Sequence, residues 1–254
     1  MGTTRSPRLN RMEKMTAGYA HSRLIARLRA IALLSDEDAD LIASLPVKLE
    51  NIPGDHDIVR EGDVSDRCCL LVDGYLIRHK IEAQGKRQIV SFHVAGDVPD
   101  LYSLHLRPMD HNVTSLGPAV VGFIQHAAML DALARSFTLT SLLWRETLVD
   151  AALFREWVVN LGKRDAMARI AHLLCELLAR LRAVGLARDS RFTFPASQLD
   201  VADATGMTAV HANRMIQQLR SQQLVQWDGA DVTIPDPGRL QHVAGFDDRY
   251  LHHR

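Results

Sequence analysis

The stretch FPASQLDVADATGMTAVHANRMIQQLRSQQLVQWDGADVTI, residues 194–234, spells a helix, a tight turn, a second helix and a hairpin. Ser197 stands three residues before Asp200, a capping-box spacing with Asp in place of the usual Glu or Gln. Leu199, Val201, Ala202 and Ala204 are the apolar or small positions of the first helix, and Gly206 permits the reversal after Thr205. Thr208 is placed to cap the second helix, which is expected to run to about Arg220. Val210, Met215, Ile216 and Leu219 form its expected inward face, with His211, Asn213, Arg214, Gln217 and Gln218 left polar. Residues 224–227 and 232–234 then read as strands around the turn dipeptide Asp228-Gly229. This is the pattern of a winged helix-turn-helix, a unit whose common task is reading DNA.

The composition is compatible with that task without demanding it. The chain has 254 residues and a formal net charge of +0, so it is not a simple polycation. Between Lys163 and Gln223, however, nine bases face five acids, a local surplus suited to phosphate contacts. Three cysteines without paired spacing make no disulfide framework, and a reducing, cytoplasmic setting is expected. Cys68 and Cys69 are adjacent in an expected strand, so one of the two is expected to face inward. No signal peptide or membrane-spanning run is read in the sequence, and residues 1–20, basic at the start, are expected to form a flexible leader.

Ahead of the helix-turn-helix the texture changes twice. Residues 21–45 look helical, with Ser35-Asp36-Glu37-Asp38 marking a fresh helix start. Short strands follow over 47–51, 57–60, 68–72, 75–81, 88–93 and 120–124, separated by glycines, which implies an antiparallel roll. Beyond residue 127 the period lengthens. Phe137, Thr140, Trp144, Thr147, Ala151, Phe154, Val158 and Leu161 recur in alternating steps of three and four, the seam along which two helices pack. Leu139, Leu142, Leu143 and Leu153 form a second apolar stripe. A long helix with two apolar faces points to a homodimer. Gly162-Lys163-Arg164 is expected to interrupt the helix as a hinge, with Asp165 capping the next one over 166–184. The expected fold class is α+β, with a sensor roll over 21–133, a dimerisation helix and hinge over 134–162, and a DNA-binding domain over 163–254.

This order resembles the Crp–Fnr superfamily of bacterial transcription regulators. The resemblance is carried by VREGDVSDRCCLLVDGYLIRHK (59–80), GKRQIVSFHVAGDVPDLYSL (85–104), NLGKRDAMARIAHLL (160–174) and the winged helix. It implies a jelly-roll type, cyclic-nucleotide-binding-like domain that senses an effector, a dimer, and a palindromic promoter site where RNA polymerase is a further partner. In cyclic-nucleotide-binding members a glutamate after the Gly-Asp turn holds the ribose and a later arginine holds the phosphate. Asp100 stands at the glutamate position, within Val98-Pro99-Asp100-Leu101-Tyr102-Ser103-Leu104, and His111-Asn112-Val113-Thr114 lie near the arginine position. A buried phosphate without a paired cation is expensive, which disfavours cyclic AMP. Arg107 comes too early for the usual pattern. Asp100, Leu101, Tyr102, Ser103, His111 and Asn112 are therefore the candidate pocket for an effector of unknown identity.

No cysteine precedes Cys68, which excludes the iron–sulfur sensor in its familiar form. Haem sensing is an alternative, through His79, His93, His105 or His111. In the family's reading helix the positions that touch bases correspond here to Ala209, Val210 and Arg214. Arg214 alone keeps the family's residue type, so a different half-site is expected. Thr208, His211, Asn213 and Gln217 complete the expected DNA-contacting set. A cupin-like metal enzyme is a remote rival: the roll has no His-x-His pair, and neither a phosphate-cradling loop nor a nucleophile elbow is present. No resident metal and no enzymatic role are expected. A non-DNA-binding adaptor is a second rival, opposed by the polar face around Arg214.

Overall fold

The computed structural model describes residues 16–254. The expected leader lies outside the described residues up to residue 15, and Ala17 to Ala20 are already helical. The chain divides into two compact units that do not follow sequence order: residues up to 29 with 33–76 and 93–143, and residues 30–32 with 77–92 and 144–254.

In the first unit, α1 (Ala17–Ile31) and α2 (Asp36–Ala43) precede the strands. Ser35 caps α2 by accepting the N–H of Asp38, as its sequence position predicts. β1 (Lys48–Ile52), β7 (Ala119–Gln125) and β3 (Arg67–Asp73) form an antiparallel sheet in the order β1-β7-β3. Leu49 and Leu70 both sit opposite Gly122, where a Cβ would fall 2.6 Å from Val47. A glycine is therefore required in the middle of that sheet. β2 (Asp57–Val59) pairs with β6 (Asn112–Ser115) through Asp57 and Thr114, whose side chains are also bonded at 2.7 Å. β6 is absent from the strands read in the sequence. The core of this unit gathers Ile52, Val59, Leu71, Met109, Val113 and Val121. Cys68 and Cys69 are both buried, because β3 is covered on both faces and alternation does not apply.

After β5 (Arg87–His93) the chain turns at Gly96, which has φ +104°. A Cβ there would meet the carbonyl oxygen of Arg23 at 2.7 Å. Asp97 follows, buried against Arg27 at 3.2 Å, and its carbonyl accepts the N–H of Leu71. The Gly-Asp turn is thus a structural corner that seats α1 on β3.

α3 (His126–Arg135) also belongs to the first unit; it leads into α4 (Phe137–Lys163), whose residues from 144 onward belong to the second unit and which is unbroken through Gly162. The expected interruption falls instead at Arg164, between α4 and α5 (Ala166–Ala183), where Asp165 caps by accepting from Ala168 at 2.9 Å. An exposed helical glycine lowers stability by about 1 kcal/mol without breaking a helix that packing supports. Then come β8 (Arg191–Thr193), α6 (Gln198–Thr205), α7 (Ala209–Ser221), β9 (Gln226–Asp228), β10 (Asp231–Thr233) and α8 (Pro237–Ala244). β8 adds a third strand to the wing, in the order β8-β10-β9. The hairpin turn is Gly229-Ala230, one residue later than read, because Asp228 still pairs with Asp231. The hairpin of β4 (Leu76–Ile81) and β5 belongs, over residues 77–92, to this second unit. Among the described residues no helix is long and apolar enough to cross a membrane.

Candidate nucleic-acid interface, dimer stripe and effector region

The helix-turn-helix is built from its caps inward. Ser197 accepts the N–H of Asp200, and Asp200 Oδ2 accepts the N–H of Ser197 at 2.8 Å, so the capping box is complete with Asp in the Glu position. Gly206 ends α6 in the left-handed conformation at φ +65°. Arg169 secures that turn, donating to the carbonyl of Thr205 at 3.0 Å and to that of Arg164 at 3.0 Å. Thr208 then caps α7, accepting the N–H of His211 at 3.2 Å.

On α7 the buried residues are Ala212, Ile216 and Leu219. Val210 is 82% exposed, which corrects its expected place on the inward face. At 3.6 residues per turn, Ala212, Ile216 and Leu219 define the packed side and leave Val210 on the opposite arc. Thr208, Arg214 and Gln217 are exposed, while Ala209, His211 and Asn213 are half-buried. Gln217 Nε2 reaches Asn213 Oδ1 at 3.5 Å, which puts these two polar side chains on one arc. Nothing in the second unit covers Val210 or Arg214.

The basic surplus of this region shrinks in the fold. Arg164 pairs with Glu156 at 2.6 Å, Arg180 lies buried near Glu176 at 3.6 Å, and Arg182 donates to Ser190 at 2.7 Å. With Arg169 also engaged, the exposed bases are Lys163, Arg182, Arg188, Arg191, Arg214 and Arg220.

The two stripes of α4 separate cleanly. Leu139, Leu142, Leu143 and Leu153 are buried. Every seam position is left at least partly open: Phe137 is 86%, Trp144 68% and Val158 71% exposed, and Thr140, Thr147, Ala151, Phe154 and Leu161 are half-buried. Leu148 and Val159 are exposed beside them, two apolar positions outside the seam as read. So wide an apolar stripe on one helix marks an interaction surface.

In the effector region, a 3₁₀ turn over Leu101–Leu104 follows Asp100. Asp100 is buried and accepts the N–H of Cys69 at 2.8 Å. Leu101 is buried, and Tyr102 packs against the core of this unit. The Tyr102 hydroxyl and the His111 ring share a hydrogen bond, and His111 Nδ1 lies 2.8 Å from Asp110. Ser103 Oγ is 2.9 Å from His126 Nε2, and Arg107 reaches the other ring nitrogen of His126 at 3.1 Å. Burial, then the Arg107 charge, holds His126 below the usual histidine range. Asn112 points elsewhere, its carbonyl oxygen accepting the N–H of Glu61 at 3.1 Å. His126 is the member of this cluster that the sequence reading missed; its place at the start of α3 gave no cue. Of the histidines considered for haem, His79, His93 and His111 are buried and His105 is exposed. Among the described residues no group of three or more His, Cys, Asp or Glu is arranged to hold a metal ion.

Known proteins match both halves of this arrangement. A cyclic nucleotide-binding domain model matches residues 49–136, and a Crp-like helix-turn-helix domain model matches residues 168–243. Over 197 residues the chain is 26% identical to the nitrogen fixation regulation protein FixK of Rhizobium meliloti, spanning 75% of this chain and 84% of that protein. It is 24% identical over 218 residues to the transcriptional activator protein Anr of Pseudomonas protegens, spanning 84% and 86%. The structure of FixK2 from Bradyrhizobium japonicum has the same fold, with a TM-score of 0.70 at 23% identity over 78% of this chain and 98% of that one. With its roll, long helix and capped helix-turn-helix in the family's order, the chain belongs to the Crp–Fnr superfamily, as a transcription regulator with a helix-turn-helix DNA-binding domain.

Proposed function

We propose that the protein acts as a homodimer, joined along the exposed stripe of α4, that presents two copies of α7 to an inverted-repeat promoter site. The observation that carries this reading is the pairing of two open surfaces: the apolar stripe from Phe137 to Leu161 and the uncovered polar arc of α7 around Arg214. Residues 21–133 serve as sensor, 134–162 as dimer helix and hinge, and 163–254 as DNA-binding domain. On DNA, Arg214 reads a guanine edge, and Val210, on its exposed arc, meets a thymine methyl. His211, Asn213 and Gln217 supplement them, while Thr208 and the backbone at Ala209 approach a phosphate. A small effector in the roll, near Asp100–Ser103, His111 and Asn112, biases the arrangement of the dimer, and RNA polymerase is the partner at the promoter. The protein works in the cytoplasm and carries no catalytic role.

Selection of bound sequences from a random duplex library tests the reading. The expected product is an inverted repeat whose half-sites lie about 34 Å apart, one DNA turn. A single unrepeated motif refutes it.

A further inference from the structure

Arg87 opens β5, within the stretch matched by the cyclic nucleotide-binding domain, yet its partners lie on the first helix of the helix-turn-helix. Its Nη2 donates to Asp200 Oδ1 at 2.6 Å and its Nε to Asp203 Oδ2 at 2.8 Å, with all three side chains largely buried. Asp200 is doubly committed: one oxygen closes the cap of α6 on Ser197, and the other takes Arg87. The far end of β5 is docked as firmly. Phe92 is fully buried, edge-on to Phe194 at 5.1 Å and 6.1 Å from Trp157, and its carbonyl accepts from Arg180 at 2.8 Å. Both ends of the strand therefore grip the DNA-binding fold, one through charge and one through packing.

The physical consequence concerns placement. A guanidinium fork held by two carboxylates on one helix face fixes orientation as well as distance, which a lysine could not do. Its single positive charge also offsets one of the two carboxylate charges on α6, the helix that crosses the phosphate backbone when a helix-turn-helix docks. Nothing in this arrangement covers the reading arc of α7, so the contact is compatible with DNA binding. We propose that Arg87 is a positioning residue for DNA recognition. Through Asp200 and Asp203 it pins α6, and with it α7, to the β4–β5 hairpin, so that a dimer reads one half-site spacing. This rests on the dimeric DNA reading above.

The test compares wild type, Arg87→Gln and the charge swap Arg87→Asp with Asp203→Arg, all as the full chain. Each is titrated on the selected operator, on operators with two base pairs added or removed between half-sites, and on a single half-site duplex. Hydrogen exchange over residues 198–205 is followed without DNA. Arg87→Gln is expected to bind the native operator about tenfold more weakly and to lose most of its spacing preference. Its half-site affinity should stay within about twofold. Exchange protection of α6 should fall, and the swap should restore part of both properties. Unchanged protection in Arg87→Gln overturns the pinning whatever DNA does. Equal losses on operator and half-site, unrescued by the swap, reduce Arg87 to fold support and overturn the proposal. A wild type that selects only unrepeated motifs refutes the dimeric DNA reading instead, and the exchange experiment then still decides the pinning.

Discussion

Asp100 Oδ1 accepts the backbone N–H of Cys69 at 2.8 Å, and this bond makes the side chain a clamp between the 3₁₀ turn and β3. A buried amide that loses its acceptor costs about 1–3 kcal/mol. Asp100→Ala is therefore expected to lower unfolding free energy by that amount, and Asp100→Asn, which keeps an oxygen acceptor, by clearly less. Cyclic AMP should leave the thermal midpoint of wild type unchanged. A stabilising shift with cyclic AMP that Asp100→Ala abolishes would show that the carboxylate serves the nucleotide.

Arg214 is exposed on the open arc of α7 and is the side chain proposed above to read a base edge. Arg214→Ala should cost roughly 1–3 kcal/mol on specific DNA and much less on random duplex. Equal losses on both would reassign the side chain to phosphate.

Trp144 and Val158 project from the open stripe of α4, so replacing them leaves the core of the monomer intact. The double variant Trp144→Glu, Val158→Glu should sediment as a monomer while its thermal midpoint moves by only a few degrees. A persistent dimer would place the interface elsewhere.

His172 sits among Tyr250, Phe246 and Glu156, stacked on Tyr250 at 5.9 Å, with Arg164 close by. Burial, then the Arg164 charge, pushes the ring from 6.5 down to about 3. Between those values the unfolded chain binds a proton that the folded protein does not. The stability contributed by the neutral ring is therefore complete above 6.5 and declines as pH falls through that window. From pH 7 to pH 5 the decline should be about 2 kcal/mol, and His172→Phe should remove it. Burial raises the buried Glu176 carboxyl and gives the opposite slope, but that term is common to both proteins and cancels in the comparison. Parallel pH profiles would contradict the assignment.

Burial raises the thiols of Cys68 and Cys175, the latter to about 12, and Asp100 adds to the effect at Cys68. All three cysteines are buried. Because the thiolate is the reactive form, labelling by a thiol reagent should be about a hundredfold slower in native protein than in denaturant. Fast labelling of one native cysteine would reveal an opening of β3 or α5.

What was legible in the sequence was local. Ser35, Asp165, Ser197 and Thr208 announce helix starts because a cap is a bond between residues three apart. Gly206 announces the turn because one residue's φ must be positive. The stripe from Phe137 to Leu161 is legible because helical period alone places it on one face.

Tertiary structure decided the rest. Val210 lies on an open arc because Ala212, Ile216 and Leu219 claim the packed side, a choice made by the partners of α7. β6 exists because β2 offers it a ladder, and both cysteines of β3 are buried because both of its faces are covered. Asp100 becomes a clamp only when β3 presents an amide to it. Arg87 finds Asp200 and Asp203 across 113 and 116 residues of sequence, a separation that no periodicity or spacing encodes. Interactions between neighbours in sequence are set by chain geometry, whereas those between distant residues depend on how the whole fold closes.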